Sequence, residues 1–364
     1  MHRYLTAILF VILTATVTAQ EQWARLEADP ALPFLIDVSE ASPPLGPTLA
    51  STAQQPTRPA RPPGRAAGPR RRGSMVGYID DAIVESKVRI RVDAAFHTTA
   101  PDRAEFFYAK CGCYQDLPST DPAYDGAAPG PRPGAANDLD FRQLNVSGEY
   151  AFSGRVSVFG QLPVRWLQPQ SFIPGTGAGF PNQSGIGDVR GGVKLALVAT
   201  ADRNLTAQAQ VYAPTGDASK GLGTDHASFE PALLYYQRVS DVVTLESQLG
   251  IWLPSGGSAG VPTGVDENFS GQVLSYGIGS GFELYREGRV LFAPVVELVG
   301  WRVLSGFQTG PTPQADGTNI VNLKVGARLS VDDLHSVYVG YGRALTDAIW
   351  YDDIVRLEYR YSFR

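Results

Sequence analysis

The sequence holds little with which to do covalent chemistry. Its 364 residues include only two cysteines, Cys111 and Cys113, and four histidines. One residue between the cysteines is too short for a comfortable disulfide, and a metal site would need ligands from elsewhere. A local feature of an exposed loop is the expectation. Past the first nineteen residues, the histidines are His97, on a polar strand face, His226, in a loop, and His335, at a turn. None is placed to serve as base to a serine nucleophile. No enzyme, cofactor or metal site is expected. The net charge of −5 gives no reason to expect a nucleic-acid partner. Long apolar runs are also scarce. The best candidate past the start, 290–300, is interrupted by Pro294 and Glu297, so no membrane-spanning helix is expected there.

Alternation takes the place of apolar runs. At the end of the chain Val355, Leu357, Tyr359, Tyr361 and Phe363 interleave with Arg356, Glu358, Arg360 and Ser362. That period of two describes a strand with one greasy and one wet face. Eleven similar segments precede it, near 87–97, 141–152, 155–166, 188–197, 205–212, 229–238, 242–253, 270–284, 290–303, 320–331 and 336–343. The connections alternate long and short throughout. Ser153-Gly154, Ser240-Asp241, Arg286-Glu287-Gly288 and Asp332-Asp333 are tight turns, whereas 98–138, 167–185 and 254–268 are long. A soluble sandwich has no reason to alternate loop length in this way. Bacterial outer-membrane barrels do so, with short periplasmic turns and long external loops. The fold expected is all-β, a twelve-stranded antiparallel transmembrane β-barrel with a disordered N-terminal segment.

Residues 1–19 read as a signal peptide, with Arg3, an apolar stretch and Val17-Thr18-Ala19. Residues 20–81 are expected to be a periplasmic segment rich in Pro, Ala and Arg, largely disordered and acting as a linker. Residues 82–364 are expected to form the barrel.

The wet faces carry ten cations: Lys87, Arg89, Arg91, Arg165, Arg190, Lys194, Lys324, Arg328, Arg356 and Arg360. They carry seven anions: Asp93, Glu149, Asp188, Glu230, Glu246, Glu297 and Glu358. Charges inside a barrel must be paired or hydrated. Two readings follow, a salt-bridged plug that stiffens the barrel and a pore whose rings of charge select solutes. The candidate lumen residues are Arg89, Arg91, Asp188, Arg190, Glu297, Arg356, Glu358 and Arg360. Closure of the barrel would bring Arg89 and Arg91 beside Glu358, with Glu297 across the lumen.

Gly185-Ile186-Gly187-Asp188 opening a strand, and Pro214-Thr215-Gly216-Asp217 closing the next, resemble the outer-membrane barrels of the phenol meta-pathway degradation transporter family. Leu162-Pro163 and Glu297-Leu298 fit the same plan, and the resemblance covers roughly residues 82–364. It implies a barrel that passes small hydrophobic or aromatic solutes. The alternative is a structural or surface-binding barrel with a closed lumen. The partners expected are outer-membrane lipid, the barrel assembly machinery and a small-molecule solute. Phe363, rather than the final Arg364, continues the apolar row toward the interface.

Overall fold

The computed structural model describes residues 73–258 and 268–363. The signal peptide and residues 20–72 lie outside the described residues. No helix among those described is long and apolar enough to cross a membrane, which says nothing about crossing by strands.

Fourteen strands form one antiparallel sheet: β1 (Ser86–Thr98), β2 (Ala136–Ala151), β3 (Val156–Phe172), β4 (Gln183–Ile186), β5 (Val189–Ala199), β6 (Arg203–Ala213), β7 (Ala227–Arg238), β8 (Val243–Ser255), β9 (Val273–Phe282), β10 (Tyr285–Glu287), β11 (Val290–Val303), β12 (Asn319–Val331), β13 (His335–Ala344) and β14 (Asp353–Phe363). β4 and β5 both pair with β3 and make one stave. β9 and β10 both pair with β11 and make another. The barrel therefore has twelve staves, as the alternation predicts. β1 and β14 close it in continuous register from Ser86↔Phe363 to Phe96↔Asp353. Closure leaves no edge strand, so no ladder of unpaired backbone groups faces lipid.

The outer face is a belt of exposed apolar side chains. Val88, Ile90 and Val92 on β1 continue through Val193, Leu195 and Leu197 on β5 and Leu357, Tyr359 and Tyr361 on β14. In water such a belt would be an aggregation surface; in a bilayer it is the lipid face. At the short-turn end His335, Tyr361 and Phe363 stack, with centroids 4.9 Å and 5.9 Å apart. Aromatic stacks of this kind form the interface girdle of membrane barrels.

Two segments outside the staves are folded inward. Residues 73–85 were expected to belong largely to a disordered periplasmic linker. Instead they enter the barrel at the short-turn end, rise into the lumen and return to β1. Met75, Val76, Ile79, Ala82 and Ile83 are buried there. Ser74 begins the loop beside Arg360, and Glu85 ends it beside Ser362. This re-entrant segment is termed the plug.

The loop between β1 and β2, residues 99–135, covers the opposite mouth and is termed the lid. Ala104 exchanges backbone hydrogen bonds with Phe307 and Gly271, and Ala109 donates to the Gly223 carbonyl. Arg103 reaches Gln308 and the Ile349 carbonyl. The lid thus touches loops around the rim. Contrary to the expectation of an exposed loop feature, Cys111 and Cys113 are buried and joined by a disulfide. Their Cα atoms are 5.2 Å apart, within ordinary bridging reach.

Candidate functional site

All seventeen charged residues assigned to the wet face point into the lumen, as the burial alternation on each stave shows. They do not form one ring. Eight of them hold the plug.

The plug has no regular secondary structure, so its backbone groups need partners from elsewhere. The wall supplies them. Glu246 accepts hydrogen bonds from the Met75 and Val76 amides at 2.8 and 3.4 Å. Glu297 accepts from the Gly77, Tyr78 and Ile79 amides, each at 2.9 Å. Gln248 accepts from the Asp80 amide at 2.7 Å. Six consecutive amides are satisfied in this way.

The carbonyls face cations. Arg360 donates to Ser74, Arg328 to Met75 and Val76, Arg356 to Gly77, and Lys194 to Asp81. A guanidinium suits this role because its several N–H groups form a rigid fork. At the apex of the plug, Arg356 lies 4.0 Å and Lys324 4.7 Å from the centre of the Tyr78 ring.

The plug also has an apolar seat. Apart from Glu297, β11 is apolar on its inward face, and Leu291, Val295 and Val299 pack with Met75, Val76 and Ile79. The inward positions opposite on β9 are Gly277, Gly279 and Gly281. A Cβ at Gly279 would lie 2.8 Å from Val76, and one at Gly281 would lie 2.6 Å from Met75. Side chains at these positions would occupy the space the plug fills.

Sequence reasoning placed the Glu358 cluster in part. Glu358 does sit among arginines, but its partners are Arg328 at 3.0 Å and Arg360 at 3.1 Å. Arg89 and Arg91 lie across from Arg360 and Glu358 in the β1–β14 register, but neither forms an ion pair with Glu358. Arg91 lies 3.1 Å from Asp93, which also binds Arg356 at 2.6 Å. Glu297 is the plug's amide anchor rather than part of a charged constriction with Glu358. Asp188 is structural here, accepting from the Gly216 and Thr224 amides. That contact joins the Gly185–Asp188 and Pro214–Asp217 motifs. Arg190 lines a small gap with Arg89, Gln161 and Gln208. His97 lies exposed against Asp138, off the inward face where the alternation placed it.

His226, in the loop before β7, places its Nε2 3.1 Å from Glu105 of the lid, with both side chains buried. Burial alone would lower the His226 pKa, but the Glu105 carboxylate outweighs it and raises the imidazole above its ordinary value. Burial also raises Asp102, partly offset by hydrogen bonds from Thr309 and the Cys111 amide. Phe106 stands on edge against Trp252, at 5.3 Å, and lies 5.2 Å from Trp350.

The family model described as "Putative MetA-pathway of phenol degradation" matches residues 134–347. The chain belongs to this family. Among solved structures it is similar to the beta domain of the Bordetella autotransporter BrkA, at 16% identity over 77% of this chain and 100% of that one, with a TM-score of 0.45. An outer membrane channel from Pseudomonas putida F1 shares 15% identity over 79% and 99%, with a TM-score of 0.46. The translocator domain of the autotransporter NalP from Neisseria meningitidis shares 12% over 77% and 89%, with a TM-score of 0.44. No curated protein matches the chain in sequence. The chain is a bacterial outer-membrane β-barrel, and the family match falls on the barrel rather than on the plug.

Proposed function

We propose that the protein is a gated passive conduit of the outer membrane for small solutes, closed at rest by the plug. One observation carries this reading. The barrel wall closes through β1 and β14 without the plug, and the plug sits in it as a separable body on a built seat. Its contacts are mostly hydrogen bonds to wall side chains, which water can replace when the segment leaves. By the ordinary topology of such barrels, it withdraws toward the periplasm. The description of the family supports aromatic or phenolic compounds as the solute class.

A second reading is a structural barrel whose lumen is closed permanently. The lid favours it, because the far mouth is also covered. Planar-bilayer recordings of the refolded protein separate the two. Glu246→Gln with Glu297→Gln weakens the contacts to five plug amides, so the conduit reading expects frequent openings where the parent protein is mostly silent. A folded double variant that never conducts would favour the structural barrel.

A further inference from the structure

The plug packs against β9 and β11, and on the other side, enclosed by β1, β2, β3, β5 and β6, it leaves a gap of about 20 Å³, room for about one water. The arginines facing this side lack carboxylate partners of their own. Arg190 donates to the Tyr212 hydroxyl at 3.2 Å and to the Gln161 amide oxygen at 2.9 Å. Arg165, toward the lid, donates to the Gln143 side chain and to the Phe107 and Leu222 carbonyls. Arg89 has no carboxylate partner among the described residues.

One acidic side chain of the plug reaches into this space, that of Asp80. It accepts a hydrogen bond from Gln208 at 3.0 Å, and the cations acting on it are Arg190, Lys194 and Arg89. The charge count agrees with this placement. The seventeen wall residues have three more cations than anions. Residues 73–85 contain Asp80, Asp81 and Glu85 and no cation, which balances that excess. Withdrawal of the plug leaves a lumen with a positive potential and a vacated carboxylate position.

We propose that Asp80 occupies the binding position of a small organic anion, whose carboxylate takes its place against Arg190, Arg89 and Gln208 once the plug withdraws. The plug then acts as an internal stand-in for the solute, and solute and plug compete for one site. This rests on the conduit reading and adds the charge of the solute to it. Arg190, Lys194 and Arg89 make this position positive and Gln208 donates a hydrogen bond to it, so it favours a carboxylate over a neutral group of equal size.

The test uses the refolded full chain and sodium acetate as probe. Asp80→Ala removes the internal carboxylate while Glu246 and Glu297 still anchor the plug. Calorimetric titration is expected to show acetate binding to this variant at least about tenfold tighter than to the parent or to Asp80→Ala with Arg190→Gln. Acetamide is expected not to bind. Equal acetate binding by parent and Asp80→Ala, or binding unaffected by Arg190→Gln, would overturn the proposal. A second measurement stands if Asp80→Ala fails to fold. The reversal potential of the conducting Glu246→Gln, Glu297→Gln protein in a salt gradient is expected to favour anions, less so after Arg190→Gln. A preference for cations would overturn the proposal. Acetate binding in a barrel that never conducts supports the site and removes only the conduit.

Discussion

The two sides of the lumen wall solve the same problem in opposite ways. The side formed by β9 and β11 is small and, apart from Glu297, apolar at its centre, with Gly279, Gly281, Val295 and Val299 turned inward, and it is covered by the plug. The side formed by β1 to β6 is long-chained and polar, with Arg89, Gln161, Arg190, Gln208 and Gln210 turned inward around a small gap. An inward apolar surface must be covered, because the alternative is to wet it. An inward polar surface can remain hydrated. The difference shows where the segment is seated and where charged groups are left for other partners.

The largest effect should come from filling the seat. Gly279→Val with Gly281→Val places side chains where Val76 and Met75 lie. Amide hydrogen exchange at residues 75–79 should lose its protection while the strand amides keep theirs. Ser147→Val, on the polar side, should leave protection at 75–79 unchanged. Equal effects from both sides would erase the contrast.

Glu297→Gln should have a smaller effect on the plug. It keeps the shape but loses the charge on three amide bonds, a cost of about 2 kcal/mol, or roughly thirtyfold in exchange protection. The matching change on the polar side, Glu149→Gln, should not alter exchange at 77–79.

The lid should respond to pH. A folded-state pKa raised above the unfolded value means that the His226–Glu105 contact contributes fully below about pH 6.5. Its contribution is lost as pH rises through the raised value. Proteolysis within residues 99–135 should therefore increase toward higher pH, and His226→Gln should flatten that dependence. A profile with the opposite slope would contradict the assignment.

The smallest direct effect is at the girdle. Phe363→Asp should cost about 0–1 kcal/mol at the interface. We propose that the assembly machinery reads this position as well, so the amount of barrel in the membrane should fall by more than that cost explains. Normal barrel levels would place the closing signal elsewhere.

The barrel was legible because its rule is local. Each stave announces itself by a period of two, and closure follows from the absence of an exposed edge. For the same reason all seventeen lumen charges could be assigned to the inward face. Their partners could not be read. Arg328 meets Glu358 across the intervening strand β13, a neighbour relation set by the curvature of the closed sheet. The plug was missed because residues 20–81 were judged by composition as one block. The signals were present in three places. Pro and Arg stop at Gly73, and Met75-Val76-Gly77-Tyr78-Ile79 follows. β9 places glycine at every second position, 277, 279 and 281. β11 is apolar on both faces apart from Glu297 over residues 290–301, which demands cover on the lumen side as well as from lipid. The lid carried a comparable signal in Phe106-Phe107-Tyr108, three aromatics in a segment read as an exposed loop.

The central claim is that residues 73–85 close a lumen that would otherwise conduct. Single-channel recording of the refolded chain lacking residues 74–84, beside the intact chain, tests it most directly. The account predicts stable openings from the shortened barrel and a mostly silent intact one. A shortened barrel that folds and inserts yet stays silent would contradict it.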